Sequence, residues 1–184
     1  MSLALPKPAS TSKEALAALD LLASGTEGDS RGPVFPRREV VDFILDLAGY
    51  TEDQPLHERR LLEPSFGGGD FLLPVIERLL GAWRASKPNG SALDDLGNAI
   101  RAVELHHDTF RGTYTAVIAL LERDGIAANT AIALAGHWLS QGDFLLAPIE
   151  DEFDFVVGNP PYVRQELIPA PLLAEYRSRY QTMY

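Results

Sequence analysis

Cysteine is absent from the 184-residue sequence, which excludes disulfides and any metal site built on thiolates. No apolar run reaches membrane-spanning length, and the N-terminus lacks the charged-then-apolar pattern of a secretory signal. Positive charge is in deficit. Sixteen Lys and Arg against 26 Asp and Glu leave a formal charge of −10, which argues against a broad basic face. The four histidines, His57, His106, His107 and His137, do not show metal-ligand spacing such as i, i+4 on a helix, so no metal is expected. Internal repeats and low-complexity blocks are also missing. At 46% hydrophobic and 23% charged residues, the composition is that of a globular, soluble chain long enough for one domain with a sizeable core. The cytoplasm is the expected location, with no membrane partner.

Along the chain, residues 1–12 read as a loose, Pro- and Ser-rich terminus, Lys13–Ser24 as a short helix, and 25–31 as a linker. Val40, Phe43, Ile44 and Leu47 recur at i, i+3, i+4 and i+7, the pattern of an amphipathic helix, and Gly49 stands where such a helix closes. Leu61 and Leu62 lead into Glu63-Pro64-Ser65-Phe66-Gly67-Gly68-Gly69-Asp70-Phe71, followed by Leu72, Val75, Ile76 and Leu79 at helical spacing. This reads as strand, glycine loop, helix, with Asp70 as the N-cap and Pro74 in the first turn. Glycines let a backbone turn sharply against a ligand, and the amides at a helix start attract anions, although the same loop also serves as a plain turn.

Residues 81–98 read as a polar surface connection, and 100–105 as a second strand ending at Glu104. An acid in that place suits both hydroxyls of a ribose, or simply solvent. A helix over 108–123, a shorter one over 126–135 and a third strand over 137–139 follow, then Gly142-Asp143-Phe144. The chain closes with a helix over 171–184 that carries Arg177 and Arg179 among Tyr176, Tyr180 and Tyr184. Such arginines follow a nucleic-acid backbone or snorkel from an amphipathic face.

The segment with the most chemical content is Phe155-Val156-Val157-Gly158-Asn159-Pro160-Pro161-Tyr162. Phe155 to Val157 suit a buried strand, within a fourth strand expected over 153–157. Gly158 and two prolines that cannot donate to a ladder end it. The loop so formed stands at a strand's carboxyl end, where open α/β sheets bind ligands. It offers the Asn159 side-chain oxygen and the Pro160 carbonyl as acceptors for an exocyclic amino group, and the Tyr162 ring for stacking on an extruded base. A proline-rich turn with a packed tyrosine has the same residues.

The order of these motifs is more telling than any one of them. The series is Val34-Phe35-Pro36 with its helix, Glu63-Pro64-Ser65-x-Gly67-x-Gly69-x-Phe71, Glu104, Gly142-Asp143-Phe144 and Asn159-Pro160-Pro161-Tyr162. It resembles the gamma-class adenine-N6 DNA methyltransferases of restriction–modification and related phage-defence systems. The resemblance covers 32–184 and implies a Rossmann-like class I methyltransferase sheet with helices on both faces, ending here after the fourth strand. Residues 1–31 are then a tail and short helix.

The resemblance further implies S-adenosyl-L-methionine as cofactor. The Phe35 region holds its methionine end, and Glu63, Pro64, Ser65, Gly67 and Gly69 line the methionine and ribose side. Glu104 takes the ribose hydroxyls, Leu105 borders the adenine, Asp143 bonds the adenine amino group, and Phe144 packs on its ring. Asn159, Pro160, Pro161 and Tyr162 receive the flipped target adenine of DNA. Two departures stand out. Pro36 occupies a position that is often Thr in the family, and the target-recognition region found in that family is not in this sequence. The second departure implies an N-terminal fragment, a split subunit completed by a second polypeptide, or a cofactor-binding remnant, with the outer edge of the fourth strand bare. Enzymes that methylate glutamine amides of release factors or guanine amines of RNA share the Asn-Pro-Pro-Tyr loop and are the rival reading.

Overall fold

Strands of two to five residues are too short to stand alone, so burial must hold them. The structure, a computed structural model, describes residues 11–24, 36–86, 89–149, 152–161 and 165–180. β1 (Leu61–Glu63), β2 (Ile100–Glu104), β3 (Leu139–Gln141) and β4 (Phe155–Val156) form one parallel sheet in the order β3-β2-β1-β4. Leu61 pairs with Ile100 on one side and Phe155 on the other, and Ala102 pairs with Leu139. Every residue of β1, and all of β2 except Arg101, is buried. Side chains alternate between faces, so both faces of this central pair are covered, as parallel sheets require. The arrangement is the expected Rossmann-like α/β one: the chain winds outward through β1, β2 and β3, then returns so that β4 lies on the other side of β1.

The crossovers supply that cover. α3 (Leu72–Ala85) and α4 (Ala92–Leu96) join β1 to β2; α5 (His107–Arg123) and α6 (Ala128–Trp138) join β2 to β3. α3 buries Leu72, Val75, Ile76, Leu79 and Leu80, and α5 buries Val117, Leu120 and Leu121. These side chains share one core with the strands, and each contributes about 1.5–3 kcal/mol when fully enclosed. α1 (Lys13–Ser24) and α7 (Ala170–Arg179) stand outside it. Ala15, Ala18, Leu172 and Tyr176 make a second, smaller cluster, with Leu145 and Leu146 packed against it.

α2 (Arg38–Leu47) forms where its periodicity puts it, but with another face inward. Val41 and Leu45 are buried, while Val40, Phe43, Ile44 and Leu47 are 37–77% exposed. Arg78 of α3 fixes this rotation. Its guanidinium donates to the carboxylates of Asp42 and Asp46 and to the carbonyls of Asp42 and Tyr50, at 2.6–3.1 Å. Both acids must therefore face α3, which turns the apolar stripe outward. The helix closes at Gly49 as expected, with the Gly49 amide on the Asp46 carbonyl and the Tyr50 amide on that of Leu45.

The third strand begins at Leu139, not His137, because α6 winds on through His137 and Trp138. That extra turn lets the enclosed Trp138 indole donate to the Leu96 carbonyl at 2.8 Å. Residues 81–98 are more than a polar connection. α3 runs on to Ala85, Ser91 caps α4 by accepting the Asp94 amide, and Leu96 is fully buried. The last helix starts at Ala170 and ends at Arg179, where Tyr180 turns extended. β4 is shorter than the strand expected over 153–157 and is not buried as expected: β1 is its sole neighbour among the described residues, so its other edge is unpaired among them and Val156 is 64% exposed.

Candidate active site

Because all four strands are parallel, their carboxyl ends meet along one edge of the sheet. Across that edge stand, in order, Asp143 after β3, Glu104 on β2, Glu63 with the glycine loop on β1, and Asn159 after β4. The reversal of strand order falls between β1 and β4, the crevice where such sheets bind ligands. Gly158 closes it on one side: a Cβ there would lie 3.5 Å from Glu63 Cγ and 3.6 Å from Pro64 Cδ. The loop carrying Asn159, Pro160 and Pro161 therefore starts against Glu63, and all three residues are exposed. Tyr162 and Phe35 lie outside the described residues. Pro36, next to Phe35, lines a groove of about 470 Å³ together with Gly68, Gly69 and Asp70, so the start of α2 adjoins the glycine loop. A second groove, of about 430 Å³ between α2 and α3, includes none of the strand-end residues, and its Arg38 and Arg78 are paired with Asp42, Asp46 and Glu77.

The glycine loop is held at both polar groups of Gly67. Its amide donates to Glu104 Oε2 at 2.9 Å, and its carbonyl accepts from the Thr113 hydroxyl at 2.7 Å. Gly69 has φ +89°, and a Cβ there would press at 3.1 Å on both Leu73 Cγ and Thr113 Cγ2, so glycine is required. Asp70 does not cap α3. The cap position is Phe71, in helical conformation, and no side chain bonds there; the Leu73 amide takes the Gly69 carbonyl instead. The loop thus begins the helix with its own backbone, which leaves the Asp70 carboxylate to line the groove.

Glu104 is buried, and its Oε1 accepts the His106 amide at 2.8 Å. The carboxylate has acceptor capacity beyond its two amide bonds, since it offers about four lone-pair sites. Asp143 Oδ1 accepts the Leu145 amide at 2.7 Å and Oδ2 accepts the Tyr176 hydroxyl. Leu105, Phe144, Pro64 and Ser65 are half-buried beside these acids in sequence. Arg179, read from sequence as a nucleic-acid or snorkelling arginine, is 15% exposed, pairs with Glu175 at 2.9 Å and donates to Thr11 at 2.7 Å.

Glu63 is the unusual group. It is 1% exposed, and its Oε2 has no hydrogen-bond partner among the described residues. Burial, with Asp70 and Glu104 nearby, pushes its carboxyl up to about 8. A buried carboxyl without a partner is costly unless something compensates it. The surrounding acids favour a cation, and the methionine end of S-adenosylmethionine carries a sulfonium and an ammonium. The residues present fit that cofactor. Sequence reasoning found the acids, but it missed Thr113, whose hydroxyl looks like a routine helix residue until β1 and α5 come together. Tyr176 was visible only as an aromatic on a helix.

Residues 106–184 match the family described as Eco57I restriction-modification methylase. Over 169 residues, 92% of the chain, the sequence is 76% identical to the type II methyltransferase M.PaeR7I of Pseudomonas aeruginosa. This chain is related to the restriction–modification methyltransferases. Identity to the type II methyltransferase M.XhoI of Xanthomonas vasicola is 53% over 85% of the chain, and to M.BstVI of Geobacillus stearothermophilus 43% over 83%. The chain spans 29%, 29% and 28% of the lengths of these three relatives. No solved structure matches it.

Proposed function

We propose that this chain is the cofactor-binding and base-receiving part of an S-adenosylmethionine-dependent DNA adenine-N6 methyltransferase, acting in the cytoplasm, with the catalytic domain running from residue 32. One observation carries the reading: Asp143, Glu104, Glu63 with its glycine loop, and Asn159 stand in that order across four adjacent strand ends. A cofactor extended along that edge has its adenine at Asp143 and Phe144, its ribose at Glu104 beside Leu105, its methionine at Glu63, Pro64, Ser65, Gly67 and Gly69, and its methyl group toward Asn159. When bound, it supplies a methyl carbon activated by the sulfonium.

The chain's part in the reaction is positional. The Asn159 side-chain oxygen and the Pro160 carbonyl accept the two hydrogens of the target amino group, which favours a pyramidal and more nucleophilic nitrogen. Pro161 stiffens that loop, and Tyr162 stacks on the flipped adenine. The cofactor would supply the methyl carbon for an in-line displacement, its carbon–sulfur bond breaking as the carbon–nitrogen bond forms, and the orientation these residues impose would supply most of the rate. No strong general base is required, because the methylated nitrogen is cationic and gives up its proton to solvent.

DNA is favoured over a release-factor glutamine or an RNA guanine by the type II methyltransferase relatives. Their greater length fits a remainder, on this polypeptide or a second one, that grips the duplex. The formal charge of −10 also suits a cofactor-binding unit whose turnover depends on that remainder.

The test is calorimetry of S-adenosylhomocysteine with wild type and Asp143→Ala, followed by digestion of methylated DNA. Saturable binding weakened by Asp143→Ala is expected, as is N6-methyladenine in DNA treated with the chain together with the remainder that grips the duplex. Methylcytosine as product, or a well-folded chain that binds no S-adenosylhomocysteine, would refute the reading.

A further inference from the structure

The loop that carries Asp143 is gripped by the C-terminal end of α7 and the residue that caps it. The Tyr176 hydroxyl donates to Asp143 Oδ2. One turn on, the Tyr180 hydroxyl donates to the Leu145 carbonyl at 2.8 Å, and Arg179 Nη1 reaches the Leu146 carbonyl at 3.5 Å. Tyr176 and Arg179 are i and i+3 on one face of α7, and Tyr180 is the extended residue that caps it. Tyr176 is 5% exposed, with Leu172 of α7 and Ala15 and Ala18 of α1 in the same apolar cluster.

A carboxylate held by one bond can swing about Cβ–Cγ. Asp143 is held by two, from separate elements: the Leu145 amide on Oδ1 and Tyr176 on Oδ2. Two bonds from different directions fix the carboxylate plane, and about two of its four acceptor sites remain open in set directions. Burial raises the Tyr176 hydroxyl far above its ordinary range, with the Asp143 bond adding to this, so the phenol remains a donor at any physiological pH. A donor that never ionises suits a permanent positioning contact.

We propose that Tyr176 is a positioning residue. Its hydroxyl aims an open lone pair of Asp143 at the exocyclic amino group of a 6-aminopurine, and so sets the preference for an adenine-bearing cofactor. The inference rests on the assignment of Asp143 to the cofactor's adenine amino group.

The experiment compares S-adenosylhomocysteine with its analogue lacking the 6-amino group, titrated by calorimetry into the protein as it occurs. Wild type is expected to bind the parent compound more tightly. Tyr176→Phe keeps the ring in the α1–α7 cluster and removes only the donor. It is expected to lower affinity for S-adenosylhomocysteine by about tenfold, the worth of one well-placed charged hydrogen bond, and to leave the analogue's affinity unchanged. Equal losses for both ligands would reveal a merely structural contact and overturn the proposal, as would no loss for either. Asp143→Ala separates the two levels of the argument. If it leaves the preference for S-adenosylhomocysteine intact, the assignment of Asp143 is itself wrong. If it abolishes that preference while Tyr176→Phe does not, Tyr176 alone is misassigned.

Discussion

On the proposed assignment, Glu63 is the side chain that meets the cationic end of the cofactor. Its carboxyl titrates near 8 in the folded chain against an ordinary 4.5, chiefly because it is buried. The folded state therefore holds a proton that the unfolded state has already lost between those values. Stability is greatest below about 4.5 and falls as pH rises toward about 8. Glu63→Gln should flatten that slope, with a higher melting temperature than wild type at pH 8. The same substitution should weaken binding of S-adenosylmethionine. At pH 7 a cationic ligand must expel the Glu63 proton, so calorimetric heats in buffers of different ionisation enthalpy should differ for wild type and coincide for Glu63→Gln. Thr113→Val removes the bond that holds the Gly67 carbonyl. A loss of about 1 kcal/mol in denaturant unfolding is expected, together with weaker S-adenosylhomocysteine binding.

Between residues and the whole lie the helices, and α2 is the instructive one. Its apolar periodicity is readable from sequence, yet the inward face is set by Arg78, thirty-six positions from Asp42. Short-range pattern fixes that a helix forms; a long-range ion pair fixes how it is rotated. The strand motifs behave differently. Glu63, Glu104, Asp143 and Asn159 are each flanked by local signals, an apolar run, glycine or proline, so their places at strand ends are legible. Trp138 was not legible as a helix end, because its partner Leu96 belongs to a segment that reads as surface. Arg78→Leu tests the rotation of α2. The guanidinium is 12% exposed, but Asp42 and Asp46 are one-third to two-thirds exposed. The loss should therefore be about 2 kcal/mol rather than that of a fully buried pair, measured by urea unfolding.

For the whole molecule, charge and topology decide what the chain does unaided. Net charge of −10 opposes the phosphate contacts from which DNA affinity mostly comes. At physiological salt this 184-residue chain is expected to leave duplex DNA unshifted in electrophoresis while still binding S-adenosylhomocysteine. A shift that weakens steeply with salt would contradict this. The placement of β4 also has a consequence in time. Arg60 of the β1 segment and Asp154 of the β4 segment are 94 residues apart, yet the Arg60 amide and the Asp154 carboxylate meet at 2.8 Å. At roughly 5–20 residues per second, the ribosome delivers β4 about 5–20 s after β1. β2 and β3 emerge within that interval, β3 and then Asp143 only about 14 residues, or roughly 1–3 s, ahead of β4, while the flank of β1 that will take β4 stays open throughout. On the proposed assignment the cofactor wall is complete only about 1–3 s before the acceptor loop arrives, and that is the time in which bound cofactor would stabilise a half-built sheet.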